Sequence, residues 1–167
     1  MFVYTVLAQG GNVATAGTTT FTAGDTITDF VSGTDGLNFA ATATGTDVVT
    51  SALAPINLTT SGVVIVNTSL DVTGATSFTD LLTALNVAAG GNERFTAANA
   101  GVTTYFAILD VNGAETPDDQ YNVFEVTTLN GMGSETLDAS NSTASLIATL
   151  TAPVLVAGDF ILGIPDG

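Results

Sequence analysis

The sequence predicts an all-β domain, sandwich-like or roll-like, with one short helix near residues 77–88. Three observations lead there. Hydrophobic residues make up 46% of the 167-residue chain and charged residues only 10%, against about 25% in an ordinary soluble domain, so a packed core is expected rather than a disordered acidic tail. Thr, Ala, Gly, Val and Asn replace the missing charges, and the β-branched Thr and Val suit a pleated, half-buried surface. Only one window spaces its apolar residues as a helix does, whereas short apolar runs broken by Gly, Asp, Asn and Ser recur throughout. The length fits a single β-rich domain spanning 1–167.

The elements follow in order. "MFVYTVLA" (1–8) reads as a strand and "QGGNVATAGTT" (9–19) as turn-rich. "TFTAGDTITDFV" (20–31) centres a strand on Ile27; the two-residue period puts Asp25, Ile27, Asp29 and Val31 on one face and Thr26, Thr28 and Phe30 on the other. "SGTDG" is a turn with Asp and Gly suitably placed, and "LNFAATAT" a strand. Residues 46–70 hold at least two more strands with "TTSG" as the turn between them. The helix lies in "TSFTDLLTALNVAAGG" (76–91), where Phe78, Leu81, Leu82 and Leu85 recur at i, i+3, i+4 and i+7. Ser77 is its N-cap, Asp80 occupies the third position of a capping box, and Gly90 or Gly91 stops it. "VTTYFAILDV" (102–111) and "YNVFEVTTL" (121–129) are strands bracketing the acidic loop "DVNGAETPDDQ". "GMGSETLDASNST" reads as a loop, and "SLIATLTAPVLVAGDFIL" (145–162) as two short strands split by Pro153. Phe2, Tyr4, Phe30, Phe39, Phe106 and Phe124 are expected to anchor the core.

Charge narrows the function. The formal net charge is −15, with Arg94 as the single cation and no histidine. Nucleic acid is an unsuitable partner, because phosphate binding needs Lys and Arg, and an anionic membrane surface is disfavoured for the same reason. No stretch reaches the roughly 18 apolar residues of a spanning helix, so no membrane insertion is expected. The apolar N-terminus lacks the basic start of a signal peptide; if the protein is secreted, the address is expected elsewhere or in a longer chain. Without cysteine there are no disulfides, thiolate metal sites or iron–sulfur clusters. Without His, Cys or Lys the usual general bases and nucleophiles are missing, so no enzyme activity is expected. Self-repulsion on this scale calls for cations from outside, and divalent ions are the natural partners.

Two acidic clusters would receive them. Asp25, Asp29 and Asp35, with Asn38, sit among Gly24, Gly33 and Gly36. Calcium takes six to eight hard oxygens from carboxylates, amides and carbonyls, and glycine lets a loop turn its carbonyls inward. The competing reading is ordinary turn chemistry, in which Asp caps a turn through its own backbone. The second cluster is Asp110, Asn112, Glu115, Asp118 and Asp119. It opens as Asp-x-Asn-Gly but is no EF-hand, since its glycine comes at the fourth position rather than the sixth and no terminal Glu follows in register.

"GDTITDFVSGTDGLNF" (24–39) resembles the segment that closes the calcium-binding RTX β-roll of type I-secreted bacterial proteins. That segment reads Asp-x-Ile-x-Asp-Phe, then Gly-x-Asp, then an apolar strand, and occurs in serralysin-type proteases, RTX adhesins and RTX surface-layer proteins. "FVY" resembles the strand preceding it, and "LIATLTAPVLVAGDFIL" the C-terminal strand pair. "SFTDLLTAL" and "YFAILDVNG" fall where the family has a short helix and a strand leading into an Asp-x-Asn-Gly loop. The chain departs from the family in lacking an intact G-G-x-G-x-D-x-U-x nonapeptide, and 41–75 looks like an insertion. The resemblance implies an extracellular bacterial protein that binds calcium through Asp25 and Asp35, then Asp29 and Asp110, and leaves the cell by a type I secretion apparatus. Two functions are expected from these readings. One is a self-assembling surface-layer, matrix or filament subunit, a homo-oligomer or polymer. The other is the C-terminal secretion and folding module of a larger adhesin or hydrolase. A carbohydrate-binding sandwich lacks its usual stacking platform here, with no Trp and three Tyr.

Overall fold

The computed structural model describes residues 3–6, 25–39, 45–49, 56–70, 79, 81–82, 85, 95–110, 120–152 and 154–162. Within them the protein is all-β. In chain order the strands are β1 (Val3–Val6), β2 (Asp25–Ile27), β3 (Gly36–Phe39), β4 (Gly45–Val49), β5 (Ile56–Asn57) and β6 (Ser61–Leu70). There follow β7 (Phe95–Ala97), β8 (Thr103–Asp110), β9 (Gln120–Thr128), β10 (Met132–Glu135), β11 (Ser142–Thr151) and β12 (Phe160–Leu162), the last preceded by a 3-10 turn at Ala157–Asp159.

A six-stranded mixed sheet, ordered β2-β11-β9-β8-β6-β4, organises the molecule. Next to its β4 edge lies β6, where Val63, Val64, Ile65 and Val66 are all buried. Four apolar residues in a row suit a strand covered on both faces, and β6 is paired in parallel with β4 and β8. Alternation then sends neighbours in opposite directions. Val64, Val66, Phe106, Ile108, Phe124 and Val126 enter one core, while Val63, Ile65, Tyr105, Ala107, Tyr121 and Val123 enter the other. In the first core Phe95 meets Phe106 edge to face, with ring centroids 6.3 Å apart. That core also takes Ile56, Phe95, Ala97 and Met132 from the three-stranded sheet β10-β7-β5. The second takes Leu37 and Phe160 from the parallel sheet β1-β3-β12, together with Ile27, Phe30 and Leu155. β11 serves both cores through a bulge. Its pairing with β9 shifts between Leu146 and Ala148, so Ala144 faces the first core while Ile147, Ala148 and Leu150 all face the second.

Parallel strands need a long crossover between them. Between β6 and β8 the chain passes through helical Thr79, Leu81, Leu82 and Leu85, and the three leucines are buried in the first core. These positions fall within the expected helix; Ser77, Phe78, Asp80, Gly90 and Gly91 lie outside the described residues. Phe30, Phe106 and Phe124 are core residues as expected, whereas Phe2 and the side chains of Tyr4 and Phe39 lie outside the described part.

Four local expectations are corrected. The strand around Ile27 stops there, so Ile27 and Phe30 enter the same core while Asp29 and Val31 are exposed. The turn before β6 falls at Leu58–Thr60, one residue earlier than "TTSG" suggests, because Asn57 closes it: its carbonyl accepts from Thr60 N–H at 3.0 Å and its Oδ1 from Thr59 N–H at 3.0 Å. The segment 131–143 is not all loop; β10 pairs there with β7, which no sequence signal announced. The strand before Pro153 is not short, since β11 runs ten residues from Ser142.

Candidate functional site

The turn at 31–35 is built by local hydrogen bonds. The Val31 carbonyl accepts from Thr34 N–H at 3.0 Å and from Asp35 N–H at 2.9 Å. The Asp35 carboxylate accepts in return from Val31 N–H at 3.0 Å. Gly33 has φ +78°, the left-handed conformation that glycine adopts without steric cost. Gly36 then starts β3 opposite Val3 of β1. Asp35 thus does the work of a turn-closing residue, which occupies one carboxylate oxygen.

The neighbouring acids are placed as follows. Asp25 opens β2 opposite Ala148 of β11, in the six-stranded sheet, whereas Asp35 leads into the parallel three-stranded sheet. Asp29 is exposed between them. Asn38 sits mid-strand on β3, and its Oδ1 is buried without a hydrogen-bond partner. Asp110 ends β8 opposite Gln120 of β9. The side chains of Asp25 and Asp110 lie outside the described part, as do Asn112, Glu115, Asp118 and Asp119 altogether. Among the described residues no three His, Cys, Asp or Glu side chains gather as a metal site would require.

One acid that sequence reasoning left out stands at the centre of this region. Asp159 is fully buried. Its carboxylate accepts from Ser32 Oγ at 2.7 Å, Gly33 N–H at 2.6 Å and Val156 N–H at 2.8 Å. All three donors are uncharged. Burying a carboxylate is costly unless it is hydrogen-bonded, and bonds to an ionised acceptor are roughly twice as strong as neutral ones. Asp159 therefore locks the 31–35 turn to the 3-10 turn ahead of β12. The one signal for it is that "GDTITDF" and "AGDFIL" both set Gly-Asp before an apolar run.

Two further groups are electrostatically distinct. Asp138 accepts from Ser140 Oγ at 2.6 Å, Ser140 N–H at 2.7 Å and Asn141 N–H at 3.2 Å, and these bonds hold its carboxyl below the ordinary 3.8. Tyr105 pairs in register with Glu125 across β8 and β9; burial first, then the Glu125 charge and hydrogen bond, push its phenol well above 10.0. Neither joins an acidic cluster named above.

No family model, curated protein or solved structure matches this chain. Among the described residues no helix is long and apolar enough to cross a membrane.

Proposed function

We propose that this is a secreted, calcium-binding structural protein without enzyme activity, a subunit that assembles into a surface layer, extracellular matrix or filament. The observation that carries the reading is sixteen carboxylates against one arginine on a β-rich chain with no histidine, lysine or cysteine. Such a surface repels its own copies until cations neutralise it, and calcium is the cation its oxygens suit. Asp25, Asp29 and Asp35 form the first binding region, and Asp110, Asn112, Asp118 and Asp119 the second. A sandwich-like or roll-like arrangement of the sheets and extracellular localisation belong to the same proposal. The likeness of "GDTITDFVSGTDGLNF" to the RTX closing segment favours a second reading, the C-terminal module of a larger type I-secreted exoprotein.

The test is the calcium-dependent rise in melting temperature. Asp35 also closes its turn, so its loss lowers stability without calcium as well. The informative quantity is therefore the increment on adding calcium. Asp25→Ala combined with Asp35→Ala is expected to shrink that increment; an undiminished one removes both residues from the site.

A further inference from the structure

We infer that subunits join edge to edge through the parallel three-stranded sheet, β12 of one copy pairing in parallel with β1 of the next. The inference rests on the assembly proposed above and names its interface.

The first observation is direction. β1 runs parallel to β3, and β3 parallel to β12. Among the described residues β1 and β12 are the two edges of that sheet. A copy displaced along the hydrogen-bonding direction brings its β1 beside β12 with the polarity already used within the subunit. The register supports the same step. Thr5, Asn38 and Ile161 form one cross-strand row, which a second copy's Thr5 continues. Two different edges meet, so the contact is heterologous and leaves a free edge at each end for further growth.

The second observation is charge. Edge strands of soluble proteins are commonly guarded by charged residues. Here β2 carries Asp25, β4 carries Asp47 and β10 carries Glu135, each on an outer strand of its sheet. On a chain of net charge −15, an edge strand whose sequence carries an acid is a poor match for a second copy. Val3–Val6, Gly36–Phe39 and Phe160–Leu162 carry no charged residue at all. The two-residue β5 is also uncharged but is too short to template a strand. A cationic partner would prefer the acidic edges, so the uncharged pair selects an uncharged strand, and β1 of a second copy is one.

The third observation is exposed apolar surface. Among the described residues six large hydrophobics are exposed, and four of them, Val31, Val154, Val156 and Ile161, lie in the two segments that Asp159 ties together. The buried carboxylate thus fixes the start of β12, and Ile161 presents exposed apolar surface on that strand itself.

The experiment measures mass by light scattering with millimolar calcium for the wild type, Ile161→Asp on β12 and Val48→Asp on β4, each checked for folding by circular dichroism. Ile161→Asp is expected to weaken association by at least about tenfold, since a carboxylate pressed against an uncharged strand loses water without gaining a partner, while Val48→Asp assembles as the wild type does. An Ile161→Asp chain that polymerises normally overturns the edge and leaves the assembly reading standing. A wild type that stays monomeric in calcium overturns both. A second test covers the case in which Ile161→Asp fails to fold. The chain has no cysteine, so copies bearing Ile161→Cys are mixed with copies bearing Thr5→Cys under oxidation. Disulfide-linked pairs confined to the mixture are expected; Ile161→Cys linking to itself, or no linkage in polymers that form, overturns the pairing.

Discussion

A single carboxylate, Asp159, ties together residues more than a hundred positions apart, and removing it leaves three donors facing no acceptor. Each unsatisfied buried group costs about 1–3 kcal/mol, and bonds to a charged acceptor lie at the upper end. Asp159→Ala is therefore expected to destabilise the fold by about 3 kcal/mol or more in urea unfolding. A loss below about 0.5 kcal/mol, the range of an ordinary surface change, contradicts the latch. Tyr105 gives a second prediction at this scale. Its folded phenol is raised above the ordinary 10.0, so the unfolded chain ionises first as the pH climbs. The stability it contributes is complete below pH 10 and falls as the pH rises past that value. Tyr105→Phe keeps the buried ring and is expected to flatten the alkaline decline measured from pH 9 to 12.

Elements show where the sequence was legible and where it was not. The long apolar runs at 102–111 and 121–129 became β8 and β9 because each carries its own period, and the leucines at 81, 82 and 85 share a face that only a helix gives them. Strict alternation through β11 would put Ala144 and Leu150 on one face; the bulge sends them to opposite cores, and bulges leave no mark in the pattern of apolar residues. β7 and β10 were missed because three or four residues carry too little period to read. At the candidate site the acidic turn was legible from its Asp and Gly spacing. Asp159 was not, because its partners Ser32 and Gly33 are distant in sequence. Two substitutions test the element assignments. Leu85→Ala removes a fully buried side chain and is expected to cost about 2–5 kcal/mol in urea unfolding, against a few tenths if position 85 faced solvent. Gly45 begins β4 with its N–H bonded to the Thr60 carbonyl at 3.1 Å, and a Cβ there would collide with that same oxygen. Gly45→Ala is expected to cost about 1–3 kcal/mol by prising β4 from β6; an unchanged midpoint would contradict the pairing.

For the whole molecule, charge outweighs any single bond. A surface of net charge −15 is stabilised by any salt, but screening by monovalent salt is nonspecific. A bound divalent ion stabilises further by mass action on the folded state alone. The same ions lower the repulsion between copies and let uncharged edges meet. Calcium-gated assembly is tested most simply by multi-angle light scattering of the wild-type chain in millimolar calcium, then in excess EGTA, with sodium chloride matching the ionic strength. For a calcium-gated subunit the mass is expected to grow with calcium, return to the 16.7 kDa monomer with EGTA, and not respond to the matched salt. A monomer under all three conditions would contradict the structural subunit and leave the secretion and folding module as the reading to pursue.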